Sequence, residues 1–209
     1  MTSSKIRVML VEDHFMARIA LRSILSDKPD LVVVGETDNG NDAVQLHAKL
    51  KPDITVMDLG LPGLDGFKAI ANIRAQNKTA KIVVLTNYDG SEDVYRALRN
   101  GAMAYLTKDA SGQELVQAIT AVHQGNRYLP RAVRDQLAER IPCSELTPRE
   151  GQVLKLISAG CSNREIATNL DIAEKTVRIH VSSVLEKLGA RDRTQAAIYA
   201  IQRGFVHLD

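Results

Sequence analysis

From Ile6 to Gln124 the chain alternates short β-branched apolar runs with stretches whose apolar residues recur three and four apart. That alternation predicts a parallel sheet covered by helices. Five strands are read at Ile6–Val11, Leu31–Glu36, Ile54–Met57, Ile82–Thr86 and Ala104–Thr107, with helical segments such as Phe15–Leu25 and Phe67–Ala75 between them. Ser111-Gly112-Gln113-Glu114 opens the last helix of this half as a capping box, serine and glutamate satisfying each other's free amides, and Gly125 should end it. Residues 126–145 lose the strand signal, carry two prolines and an Arg-rich run, Arg131–Arg140, and read as a linker with one short helix. From Leu146 every periodic segment is helical, with further capping boxes at Thr147-Pro148-Arg149-Glu150 and Ser162-Asn163-Arg164-Glu165. The expected architecture is an α/β domain at 1–125, with a five-stranded, doubly wound parallel sheet, then a linker at 126–145 and a smaller all-α domain at 146–209.

Composition narrows the classes. With 209 residues, 44% hydrophobic, the chain is long enough for buried cores, and two cysteines, Cys143 and Cys161, make neither a disulfide framework nor a zinc site. The first apolar stretch is short and meets Glu12 and Asp13 at once, unlike a secretory signal. No apolar run approaches the roughly 18 residues of a spanning helix. A cytoplasmic protein is expected. Its 27 basic and 25 acidic side chains leave a net charge of +2, so any case for nucleic acid rests on where the charges sit.

Ligands of a parallel α/β sheet gather at the carboxyl ends of the strands. Those ends carry Glu12 and Asp13 after the first strand, Asp58 after the third, Thr86 at the fourth and Lys108 after the fifth. Three carboxylates within about 5 Å repel by roughly 3 kcal/mol per pair at an effective dielectric near 20, a cost that a divalent cation reverses. Oxygen-only ligands suit Mg²⁺. A carboxylate with Mg²⁺, a hydroxyl and a lysine around it is equipped to accept a phosphoryl group, because that transfer depends on positioning and charge neutralisation. Asp58 is the natural acceptor; His14 fits a helix start or site rim better than a catalytic role.

In the helical half, Asn163–Leu170, the turn Asp171-Ile172-Ala173 and a helix over Glu174–Leu188 have helix-turn-helix spacing. Val177, Val181, Val184 and Leu188 form its core stripe, and Lys175, Thr176, Arg178, Ile179 and Ser182 are the candidate DNA-binding residues. An isoleucine beside arginine and lysine suits a major groove: Ile179 can meet a thymine methyl, Arg178 a guanine and Lys175 a phosphate. His180 falls between these faces, where packing or a phosphate contact fits better than a metal. The last helix, Arg193–Arg203, is apolar over more of its circumference than one core contact requires. Ala196, Tyr199, Ala200 and Arg203 are assigned to a homodimer contact, since a small helix-turn-helix reads two half-sites by symmetry.

These residues carry a resemblance. Leu10-Val11-Glu12-Asp13-His14, Met57–Gly66, Val84-Leu85-Thr86 and Gly101–Lys108 resemble the flavodoxin-like receiver domain of a two-component response regulator. Leu146–Glu150, Ser162–Ala167 and Lys175–Val181 resemble the LuxR-type DNA-binding domain, so the chain looks like a NarL/FixJ-type response regulator. The resemblance implies that Asp58 takes a phosphoryl group from a sensor histidine kinase and that Glu12, Asp13 and Asp58 hold Mg²⁺ with the Gly60 carbonyl. It further implies that Lys108 pairs with the phosphate, that Thr86 bonds a phosphoryl oxygen while Tyr105 turns inward, and that this switch controls dimerisation and binding to double-stranded promoter DNA. Such a protein is a phosphoryl acceptor and transcription factor that assists its own phosphorylation and dephosphorylation. Two alternatives stand beside it. One is a DNA-binding regulator whose receiver is constitutive or switched otherwise. The other is an aspartyl phosphohydrolase, a class that places a second acid where this chain has Gly60. Departures from the family pattern are Asn87, Asp109 and Ala173, the last at a helix-cap position that serine or threonine usually fills.

Overall fold

The structure, a computed structural model, describes residues 5–138 and 146–207. The rest of the expected linker, 139–145 with Cys143, lies outside the described residues. The chain divides into two compact units, Met1–Asp89 with Val94–Leu137 and Gly90–Asp93 with Ala138–Asp209.

In the first unit β1 (Ile6–Val11), β2 (Leu31–Thr37), β3 (Ile54–Met57), β4 (Ile82–Thr86) and β5 (Ala104–Thr107) form one all-parallel sheet in the order β2-β1-β3-β4-β5. The order reverses direction at β1, so the carboxyl ends of β1 and β3 open a crevice between them. Strand alternation divides the core in two. Val8, Leu10, Ile54, Val56, Val83, Leu85 and Leu106 face α1 (Phe15–Ser26) and α5 (Gly112–His123). Met9, Val11, Met57, Ile82, Val84 and Tyr105 face α2 (Gly40–Leu50), α3 (Gly66–Gln76) and α4 (Ser91–Arg99). Both faces of the sheet are therefore covered, as parallel sheets require.

Helix starts follow the local chemistry. Asn39, Asp65 and Ser111 each accept a main-chain N–H three residues on, capping α2, α3 and α5. The box expected at Ser111 closes on the serine side only, through the Glu114 amide at 3.1 Å, and the Tyr128 hydroxyl nearby donates to Gln117 Oε1 at 3.4 Å. Gly125 leaves α5 at φ +90°, a conformation that L side chains rarely adopt.

Residues 126–137, read from sequence as linker, belong to this first unit and pack in it. Tyr128 bridges β5 in parallel: its amide donates to the Met103 carbonyl at 3.0 Å, and its carbonyl accepts from the Tyr105 amide at 3.4 Å. Then α6 (Arg131–Ala138) buries Val133 against the cluster that holds Tyr105, Val94 and Ala97, with Leu129 and Leu137 alongside.

The second unit contains α7 (Pro148–Ser158), α8 (Asn163–Leu170), α9 (Glu174–Leu188) and α10 (Arg193–Gln202). Complete capping boxes open α7 and α8, Thr147 with Glu150 and Ser162 with Glu165. Ala173, before α9, makes no side-chain cap. Val177, Val184 and Leu188 are buried, and Val181 packs against the cluster that holds Val177. No helix among the described residues is long and apolar enough to cross a membrane.

Candidate functional site

The parallel register brings the strand-end residues together across 96 positions of chain. Carboxylate oxygens of Glu12, Asp13 and Asp58 all lie within 4.8 Å of one another. Asp58, 5% exposed, accepts from the Leu59 amide at 2.6 Å and the Gly60 amide at 3.3 Å through Oδ1. Lys108 Nζ donates to Asp58 Oδ2 at 2.7 Å and to Glu12 Oε1 at 2.8 Å. Gly66 lets α3 start hard against this acid, since a Cβ there would stand 2.2 Å from the Asp58 carbonyl. A cavity of about 400 Å³ opens over the cluster, lined by Asp13, His14, Asp58, Gly60, Thr86, Tyr88 and Lys108 among others.

The electrostatics are those of crowded acids around one cation. Burial pushes the Glu12 carboxyl above its usual range and the neighbouring Asp58 adds to this, against the pull of Lys108. For Lys108, burial opposes the charge, but hydrogen bonds and attraction from Asp58 and Glu12 outweigh it and raise its pKa. The oxygen-only donor set and its residual negative charge fit a hard divalent cation.

Tyr88 joins the two residues assigned to the switch. Its amide donates to Thr86 Oγ1 at 3.3 Å, and its carbonyl accepts from the hydroxyl of the fully buried Tyr105 at 2.8 Å. Sequence reasoning passed over Tyr88, for the bonds run through its main chain. His14 caps α1, Nδ1 accepting from the Ala17 amide at 3.4 Å.

On the second unit, Lys175, Arg178, Ile179 and Ser182 are exposed along α9, Ile179 at 63%, and Thr176 is half-buried. Arg178 Nη2 meets Glu174 Oε1 at 2.7 Å. Behind this face stands a residue whose long-range role the sequence hid. Glu150 accepts from Thr147 N at 2.7 Å, Ser183 Oγ at 2.6 Å and Lys187 Nζ at 2.6 Å, tying the start of α7 to α9. Arg149 Nη2 meanwhile donates to the Leu170 carbonyl at the end of α8, at 2.7 Å.

One assignment is corrected. Ala196 and Ala200 are fully buried in the core of the second unit, so they are not available to a dimer contact. Because α10 packs against both α7 and α9, its small residues face inward. Its outward apolar residues are Ile198 and Ile201, 48% and 39% exposed. Tyr199 and Arg203 are half-buried, with the Arg203 guanidinium 4.6 Å from the Tyr199 ring centre.

Comparison with known proteins agrees with this geometry. Residues 8–120 match the response regulator receiver domain, and residues 144–200 match the luxR family of bacterial regulatory proteins. The transcriptional regulatory protein LiaR of Bacillus subtilis is 38% identical over 97% of this chain and 100% of its own. The nitrate/nitrite response regulator NarL of Escherichia coli is 35% identical over 93% and 94%. Among solved structures, the response regulator RcsB in complex with DNA superposes with a TM-score of 0.69 at 26% identity, covering 94% of this chain and 98% of that one. Two domain matches in this order, and relatives similar along nearly their whole length, show that the chain belongs to the NarL/FixJ-type response regulators, a receiver domain joined to a LuxR-type DNA-binding domain.

Proposed function

We propose that Asp58 takes a phosphoryl group from the histidine of a sensor kinase and that this event governs dimerisation and reading of promoter DNA by α9. The observation that carries the proposal is the setting of Asp58: a buried carboxylate under an open cavity, 2.7 Å from Lys108 and within 4.8 Å of two further carboxylates. An Asp58 oxygen attacks phosphorus, the bond from phosphorus to the histidine nitrogen breaks, and the electron pair leaves with the imidazole. Because the other ring nitrogen of the phosphohistidine carries a proton, the imidazole leaves neutral, and an acyl phosphate and a neutral histidine result. Glu12, Asp13 and Asp58, with the Gly60 carbonyl, would hold Mg²⁺, which when bound neutralises charge on the transferred group. Lys108 exchanges a carboxylate for a phosphoryl oxygen. The Thr86 hydroxyl then donates to another, giving up its bond from the Tyr88 amide, and the Tyr105 hydroxyl on the Tyr88 carbonyl feels the same loop move.

The receiver, extended by the Tyr128 pairing and by α6, would thus bias a DNA-binding domain at 146–209 in a cytoplasmic regulator. On α9, Arg178 and Ile179 read base edges while Lys175, Thr176 and Ser182 meet the backbone or neighbouring bases. The dimer contact moves to Ile198 and Ile201, with Tyr199 and Arg203 at its margin. Such a protein accepts phosphoryl groups and assists their loss without turning over a substrate. The test is the intact mass of wild type and Asp58→Asn after incubation with acetyl phosphate, with and without Mg²⁺. A phosphoryl adduct requiring both Asp58 and Mg²⁺ is expected; an adduct that survives Asp58→Asn refutes the assignment.

A further inference from the structure

Of the three clustered carboxylates, two are held by side-chain contacts and one is not. Asp58 is fixed by two amides and Lys108, and Glu12 by Lys108 and the His14 amide at 3.0 Å. Asp13 is exposed, and among the described residues its carboxylate receives no hydrogen bond. Its place therefore depends on the peptide that carries it, the link between Glu12 and Asp13. That peptide is clamped by one side chain: Arg18, on the first turns of α1, donates from Nη1 to the Glu12 carbonyl. The Glu12 amide, on the other side of the residue, donates to the Thr37 carbonyl at 3.0 Å.

Arg18 is itself held. Its side chain is 18% exposed, and its Nε lies 4.0 Å from Glu36 Oε2, near the end of β2. Arg22, one turn further along α1, bonds the same carboxylate, Nε to Oε1 at 2.6 Å. Strand register places Glu36 opposite Leu10 and Thr37 opposite Val11, so the β2 end, the α1 start and the β1 end converge on one peptide.

We infer that Arg18 is a positioning residue for phosphorylation: it orients the Glu12–Asp13 peptide so that Asp13 reaches a divalent cation. This rests on the proposed role of the acidic cluster. The guanidinium does not line the cavity over the acidic cluster; it acts through a carbonyl. Removing it frees that carbonyl to rotate and lets the Asp13 carboxylate swing away, which weakens cation binding while leaving Asp58 and Lys108 in place. Supporting residues of this kind are worth about 10- to 100-fold in metal affinity when lost.

The experiment is a Mg²⁺ titration by calorimetry of the unphosphorylated full chain, for wild type, Arg18→Ala, Arg18→Lys and Glu36→Gln. It runs beside initial rates with acetyl phosphate across Mg²⁺ concentration and a melting curve for each variant. For Arg18→Ala the dissociation constant and the half-saturating Mg²⁺ should both rise about tenfold, with the rate at saturating Mg²⁺ restored to near the wild-type value. Arg18→Lys, which keeps one donor for the carbonyl, should recover part of the loss, and Glu36→Gln should show a smaller shift of the same sign. Arg18→Ala binding Mg²⁺ as wild type does overturns the inference while leaving the proposed function intact. A fall in melting temperature and saturated rate with unchanged Mg²⁺ affinity marks a structural role and also overturns it. If wild type neither binds Mg²⁺ nor accepts phosphoryl, the proposed function fails and this inference with it.

Discussion

Glu150 is the residue on which the posture of α9 most visibly depends. Its side chain is 6% exposed, Oε2 accepts from Thr147 N, Thr147 Oγ1 and Lys187 Nζ, and Oε1 accepts from Ser183 Oγ. Burial alone would raise its pKa, but these donors outweigh it and lower the value from 4.5 to about 2. A drop of that size corresponds to roughly 3 kcal/mol of linked stability. Because the folded value lies below the unfolded one, this contribution is complete above about pH 5 and disappears as pH falls towards 2. Glu150→Gln removes the charge, so the variant should lose roughly 2–3 kcal/mol at pH 7, and the gap to the parent should close on acidification as the parent itself protonates. The chain has no tryptophan. Phe205, half-buried beside Leu154, Val184 and Ala200, therefore offers a position for a tryptophan that reports on this unit alone. Urea unfolding of Phe205→Trp with and without Glu150→Gln, followed by fluorescence from pH 7 down to pH 3, measures the gap. A difference under about 0.5 kcal/mol at pH 7, or one that stays constant with pH, refutes the reasoning.

Three further outcomes are expected. Arg178→Ala should weaken binding to a duplex selected from a randomised pool and relax one base preference at a cost of about 1–3 kcal/mol, leaving the acetyl phosphate adduct unchanged; equal base preference in a repeated selection contradicts the groove-face reading. Ala173→Ser supplies the cap that α9 lacks and should stabilise the second unit by about 1 kcal/mol in the same tryptophan assay. Ile198→Asp should keep the phosphorylated chain monomeric in sedimentation at concentrations where the parent dimerises, and a dimer of unchanged affinity would move the contact elsewhere.

What the sequence made legible was local chemistry or fixed periodicity. The caps at Thr147 and Ser162 name their own partners three residues away, and a parallel strand must end at the sheet's carboxyl edge, so Glu12, Asp58, Thr86 and Lys108 could be placed together before any contact was known. At Ser111 the same local rule gave the serine bond and missed the glutamate, whose carboxylate does not return to the Ser111 amide. On α10 periodicity alone failed. An apolar stripe wider than one contact does not say which part lies deeper, and packing against two helices buries Ala196 and Ala200 while leaving Ile198 and Ile201 outside.

The residues that sequence left unread act through main chain or across long separations. Arg18 bonds a carbonyl, a group every residue has, so no motif distinguishes its target. Glu150 fills its cap role locally, and that sufficient local reason conceals Ser183 and Lys187, 33 and 37 positions away. Tyr88 and Tyr128 contribute amides and carbonyls on either side of Tyr105. In this molecule the groups proposed to react are side chains at strand ends, whereas what orients them is largely backbone fixed by neighbouring strands and helices. Substitutions at the reacting groups should therefore abolish chemistry outright, and substitutions at the orienting residues should shift the ion concentration or pH at which it proceeds.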